Sequence, residues 1–167
     1  MKLKSTGRRL ATGAAALAIA GTSMLTGAGQ ASADSVTWIN GWSTWSSPVR
    51  CKDSNGAYVT FCIYYSPSAE GAMTMEYTVQ DGEIDETFWK QDQYGSAGYG
   101  QKVRNNAASV ENASNATIGV WVSPWFYGDA NYVPAGRGGS LTPRLRNNEA
   151  SWGIVDQLDR GGQVRLD

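Results

Sequence analysis

Trp121-Val122-Ser123-Pro124-Trp125-Phe126-Tyr127-Gly128 is the stretch on which the fold turns, because Tyr64-Tyr65-Ser66-Pro67-Ser68-Ala69-Glu70-Gly71 is a degraded copy of it, 57 residues earlier. In each copy an apolar and aromatic run ends at Ser-Pro. Proline has no backbone donor and a fixed φ, so regular strand pairing stops there. The glycine four residues later tolerates a left-handed backbone, which a tight hairpin needs. Trp121 and Phe126 stand seven and two residues before Gly128 and are read as clamps over the turn glycine. Ala69 holds the place of Phe126 in the first copy, so that hairpin lacks one clamp.

A second landmark follows each hairpin. Val103-Arg104-Asn105-Asn106-Ala107-Ala108-Ser109 matches Leu145-Arg146-Asn147-Asn148-Glu149-Ala150-Ser151 at an offset of 42. The first copy therefore holds 15 more residues between its landmarks, and we place them within 76–100. That stretch carries Glu76, Asp81, Glu83, Asp85, Glu86 and Asp92 against Lys90 alone, and it ends in a glycine-rich run from Gly95 to Gly100. It reads as a long, acidic, partly mobile excursion. Repeat one spans about 57–112 and repeat two about 117–155, with a tail over 156–167. Short alternating runs at 57–65, 73–79 and 117–122 lie between clusters of Gly, Asn and Ser, and no helical period persists over three turns. The pattern predicts an all-β sandwich or barrel.

The aromatic-x-x-x-x-aromatic-x-Gly pattern of Trp121 to Gly128, with Asn147-Asn148-Glu149-Ala150-Ser151 behind it, resembles the Greek-key signature of βγ-crystallins. The resemblance implies an all-β, βγ-crystallin-like sandwich of two Greek-key motifs. More narrowly, Cys62-Ile63-Tyr64-Tyr65 and the run from Gly100 to Asn112 resemble secreted bacterial proteins classed with the Streptomyces metalloproteinase inhibitor. This likeness covers about residues 50–155. It implies inhibition of an extracellular peptidase by an exposed loop, for which 80–100 and 133–143 are the candidates. The inhibitor that names that family has two disulfides, whereas this chain has only two cysteines.

Calcium is the second implication. Carried over, Asn105, Asn106, Ala107 through its carbonyl, and Ser109 would serve one Ca²⁺ site. Asn147, Asn148, Glu149 through its carbonyl, and Ser151 would serve the other. Both copies depart from the family pattern at the next position, with Val110 and Trp152 where a serine belongs, and both use neutral Asn where Asp would add charge. Read on their own chemistry, the same Asn and Ser side chains are turn caps that bond to nearby backbone N–H groups. The alternative to inhibition is therefore a structural or surface-binding module of βγ-crystallin type.

Upstream, Lys2, Lys4, Arg8 and Arg9 precede an Ala-rich apolar stretch and the small-x-small site Ala31-Ser32-Ala33. That is the order of a secretory signal, so residues 1–33 are read as cleaved and the working chain as extracellular. Residues 34–167 then hold 10 basic and 15 acidic side chains, a net charge of −5. This argues against nucleic acid and anionic membranes as partners, and a monomer is expected. Cys51 and Cys62 form a disulfide in an oxidising compartment, with two free thiols as the alternative. Residues 34–50 form a Trp-rich arm. Its Trp42-Ser43-Thr44-Trp45-Ser46 box reads as covering for the sandwich or as an aromatic patch for carbohydrate or peptide. Asn112-Ala113-Ser114 and Asn115-Ala116-Thr117 match the glycosylation pattern. The chain has no histidine, which removes the common triads and most zinc sites, so no enzyme is expected.

Overall fold

Runs such as Phe61-Cys62-Ile63-Tyr64-Tyr65 and Ile118-Gly119-Val120-Trp121-Val122, rich in β-branched and aromatic side chains, become strands in this computed structural model. The structure describes residues 35–45, 51–90 and 95–158, and these hold ten strands and no α-helix. The signal-peptide reading of 1–33 lies outside the described residues, as do 46–50 of the arm and 159–167 of the tail.

The arm supplies β1 (Val36–Trp38) and β2 (Trp42–Ser43). The first copy supplies β3 (Phe61–Ser66), β4 (Glu70–Glu76), β5 (Gln80–Asp81) and β6 (Ser109–Asn112). The second supplies β7 (Ile118–Ser123), β8 (Tyr127–Val133), β9 (Arg137–Ser140) and β10 (Ser151–Ile154). β7 and β8 lie 57 residues after β3 and β4, β9 begins 57 after β5, and β10 lies 42 after β6. The offset changes only beyond β5.

Two five-stranded sheets result, ordered β1-β8-β7-β10-β5 and β2-β9-β6-β3-β4. In each copy the first strand lies antiparallel between the second and the fourth. The third crosses to the other sheet: Gln80 of β5 sits opposite Gly153, and Gly139 of β9 opposite Val110. Each copy thus completes its partner's sheet, which makes the molecule a sandwich of two Greek-key motifs. The arm then adds one edge strand to each sheet, β1 parallel to β8 and β2 antiparallel to β9.

Both hairpins bulge at the same place, between Tyr64 and Ser66 and between Trp121 and Ser123. Gly71 and Gly128 take φ +78° and +81°, the left-handed backbone predicted for them. Two non-glycine residues in each turn do so as well: Ser68 and Ala69, and Trp125 and Phe126. The aromatic clamp works differently from the expectation. Trp121 and Phe126 meet edge to face, centroids 5.4 Å apart, and it is Val122 that closes over Gly128.

Phe61, Ile63 and Val110 from one sheet face Ile118, Val120 and Trp152 from the other across the main core. The Phe61 and Trp152 rings lie 5.0 Å apart. The opposite face of β3 is also buried, because Cys51, Val59, Met73 and Met75 pack over Cys62 and Tyr64. Burial on both faces explains why β3 reads as a continuous apolar run. Cys51 and Cys62 are joined, with Cα atoms 5.6 Å apart, which settles the disulfide against two free thiols.

The acidic excursion is pinned along its described length. Met73 and Lys90 exchange backbone hydrogen bonds of 2.8 and 3.0 Å, and Ala72 N–H donates to the Ala97 carbonyl at 2.8 Å, so the insertion covers the open edge of β4. It also lends Ile84 and Phe88 to the main core. The other candidate inhibitory loop, 133–143, is not a free loop throughout: it contains β9, whose Gly138 and Gly139 are buried. Asn112 is no glycan acceptor. It is fully buried, and its Nδ2 donates to the carbonyls of Ala116 (2.8 Å) and Val133 (2.9 Å).

Candidate functional site

Two places bring chemistry-bearing side chains together: the paired Asn-Asn-x-x-Ser loops, and a groove beside the insertion.

The loops meet at the pseudo-twofold axis. Asn105 and Asn147, at φ +63° and +57°, bend each chain so that the two turns face one another. Asn147 N–H donates to the Ala107 carbonyl at 2.8 Å, and Asn105 N–H donates to the Glu149 carbonyl at 3.0 Å. The two carbonyls assigned to calcium by resemblance are thus each engaged with the opposite loop. The serines latch the hairpins. Ser109 Oγ donates to the Ser66 carbonyl (2.5 Å) and accepts from Ala69 N–H (2.9 Å). Ser151 Oγ donates to the Ser123 carbonyl (2.7 Å) and accepts from Phe126 N–H (3.1 Å). Asn106 and Asn148 turn their Nδ2 groups onto the carbonyls of Arg104 (3.3 Å) and Arg144 (3.1 Å). Val110 and Trp152, in the departing positions, are buried in the core and offer no oxygen.

Calcium takes six to eight oxygen ligands. Each loop as folded leaves the amide oxygens of two asparagines, all neutral, and the one carboxylate present, Glu149, points inward at backbone amides. Among the described residues no cluster of His, Cys, Asp or Glu is arranged for a metal ion. The donor set does not fit a calcium cage. Burial pushes the Glu149 carboxyl up to about 7, against the downward pull of the amides of Ala107, Asn106 and Asn148.

The groove lies where the disulfide loop and the insertion flank β4. It encloses about 220 Å³ and is lined by Asp53, Ser54, Met75, Tyr77, Trp89 and Lys90. Tyr77 and Trp89 are 61% and 47% exposed, unusual for rings of that size. The Trp89 indole N–H donates to Thr74 Oγ1 at 3.1 Å, which fixes the ring, and Thr74 donates in turn to Glu76 at 3.3 Å. Lys90 Nζ donates to the Lys52 carbonyl at 3.0 Å, tying the insertion to the disulfide loop. Lys52 Nζ stands 4.6 Å over the Tyr58 ring, which packs edge-on against Trp45 at 4.9 Å. Trp45, Tyr58, Trp89 and Tyr77 are all partly exposed. Behind the groove, burial and the charges of Glu86 and Asp81 push Glu76 up to about 7. Burial, with Asp81 and Asp85 beside it, pushes Glu86 to about 7 as well.

The rest of the arm is held by a carboxylate that sequence reading missed. Glu111 is buried and accepts from Trp42 Nε1 (2.8 Å) and from Tyr64 Oη (2.7 Å).

Neither a protein-family model nor a curated protein matches the chain. Among solved structures it is similar to the N-terminal domain of protein S, at 20% identity and a TM-score of 0.42, over 58% of this chain and 96% of that one. It is also similar to a domain described as bearing on the evolution of the eye lens βγ-crystallin domain fold, at 16% identity and a TM-score of 0.44, over 63% of this chain and 95% of that one. The fold is βγ-crystallin-like, and the ground for saying so is the reciprocal exchange of β5 and β9 between twin motifs.

Proposed function

We propose that the chain is an exported, noncatalytic module of βγ-crystallin type that binds a carbohydrate surface through the groove between the disulfide loop and the insertion. The observation that carries this reading is the pair of exposed rings, Tyr77 and Trp89, in a groove edged by Asp53, Ser54 and Lys90. Apolar ring faces with a few polar groups at the rim suit a ligand that is apolar on one face and hydroxylated at its edges. A ring already fixed by hydrogen bonding loses little freedom on binding. Co-sedimentation with insoluble chitin, cellulose and peptidoglycan tests it. One polymer should retain the chain, and Trp89→Ala should weaken retention about tenfold or more, an anchor's worth of binding energy. Failure to bind any polymer, or equal binding by Trp89→Ala, refutes the reading.

Inhibition of an extracellular peptidase, such as a metalloprotease, is the second reading. Its support is the insertion, whose hydrogen bonds to β4 give it the rigidity an inhibitory loop needs. Titration against thermolysin-like and subtilisin-like proteases separates the two. Stoichiometric loss of protease activity at micromolar chain supports inhibition, and digestion or indifference removes it.

A further inference from the structure

The first Asn-Asn-x-x-Ser loop turns hydrogens, not oxygens, toward its centre. Three successive backbone N–H groups converge on one residue. Asn105 donates to the Glu149 carbonyl at 3.0 Å, and Asn106 and Ala107 donate to Glu149 Oε1 at 3.1 and 2.9 Å. The left-handed φ of Asn105, +63°, makes the convergence possible. Successive amides gathered by such a bend form a concavity that attracts anions and repels cations. From the second loop, Asn148 N–H donates to the other carboxylate oxygen, Oε2, at 3.1 Å. Glu149 is fully buried in this position. Its counterpart 42 residues earlier is Ala107, so the carboxylate exists once and serves both loops.

We infer that the paired loops are an anion nest filled by the chain's own Glu149, a built-in clasp standing where the resemblance implies calcium, and that the two repeats close on each other without metal. The inference is independent of the carbohydrate reading, since the loops and the groove share no residue. It accounts for three departures from the calcium pattern together. The serines missing at Val110 and Trp152 are not needed as ligands, the neutral asparagines add no charge for an ion to meet, and the one acidic side chain points inward.

Thermal unfolding of the full chain tests it. The midpoint should be the same in millimolar calcium and in EGTA. Glu149→Ala strips the acceptor from three amides and should lower the midpoint by about 10 °C. Sodium formate, a free carboxylate small enough for the emptied nest, should recover part of that loss, and sodium chloride at equal ionic strength should not. Glu149→Gln keeps one accepting oxygen and should lose less than Glu149→Ala. Should Glu149→Ala fail to fold, amide hydrogen exchange in the unaltered chain decides: Asn106 and Ala107 should be protected like β6 and β10. The inference is overturned by a calcium-dependent rise of several degrees, by an unchanged midpoint in Glu149→Ala, by the absence of a formate-specific recovery, or by unprotected amides at Asn106 and Ala107.

Discussion

Replacing Ser151 with alanine removes one oxygen atom and should destabilise the domain far more than its size suggests. Ser151 is fully buried, and its Oγ bridges the Ser123 carbonyl and the Phe126 N–H across the turn of the second hairpin. Both backbone groups lose that partner in the variant. A buried polar group left unsatisfied costs about 1–3 kcal/mol, so the pair sums to about 3 kcal/mol with modest relaxation. The turn has a further reason to open, since Trp125 and Phe126 both hold left-handed backbone that non-glycine residues adopt only under constraint. For a domain of this size, 3 kcal/mol corresponds to a fall of about 10 °C in midpoint. Guanidinium unfolding followed by tryptophan fluorescence measures it, with an unchanged slope showing that stability alone has moved. Ser109→Ala should fall in the same direction, because Ser109 makes the same bridge from Ser66 to Ala69. Exposed Ser96→Ala, the control, should stay within about 0.5 kcal/mol. A loss below about 0.5 kcal/mol for Ser151→Ala would refute the claim that these serines latch the hairpins.

Trp42→Phe keeps an aromatic side chain but deletes the N–H that meets buried Glu111, while Tyr64 Oη still donates to that carboxylate; equilibrium unfolding should show a loss of about 2 kcal/mol. Replacing both Cys51 and Cys62 by serine reopens a loop of sequence separation 11 and should cost about 3 kcal/mol by the same assay. Stability should also depend on pH through Glu76, Glu86 and Glu149, whose carboxyls stand near 7 in the folded chain against an ordinary 4.5. The folded state holds protons that the unfolded chain releases, so stability is greatest at acid pH, falls as pH rises from about 4.5 to 7, and levels off above that. Glu76→Gln should flatten this slope and raise stability at pH 8 by about 2 kcal/mol, read from urea midpoints across pH.

The hairpins were legible because Ser-Pro and a left-handed glycine are local signals, written within eight residues. The sandwich followed once those signals occurred twice. β5 was not legible, since two residues, Gln80 and Asp81, carry no periodicity, and their place is set by β10 of the other motif. The insertion misled because its acidic composition hides Ile84 and Phe88, which the core takes up. Ile39 escaped notice for a similar reason, as a buried apolar residue between the exposed Trp38 and Asn40. Of the metal-site assignments, Ser109 and Ser151 behave as caps, though they cap the hairpin upstream and not their own loop. Glu149 did leave a trace in the sequence: it is acidic where its twin is Ala107, and that break in the repeat marks the clasp. The groove left none. Asp53 and Ser54 reach Trp89 only through the disulfide loop and the pairing of Lys90 with Met73, neither of which is local.

Cross-strand NMR contacts test the twin-motif sandwich most directly. Amide and Hα proximities should link Gln80 to Gly153 and Val110 to Gly139, placing the third strand of each motif in the sheet of the other. Finding Gln80 paired instead with a strand of its own motif, or Gly139 with β7 or β8, would contradict the exchange and the two-motif account with it.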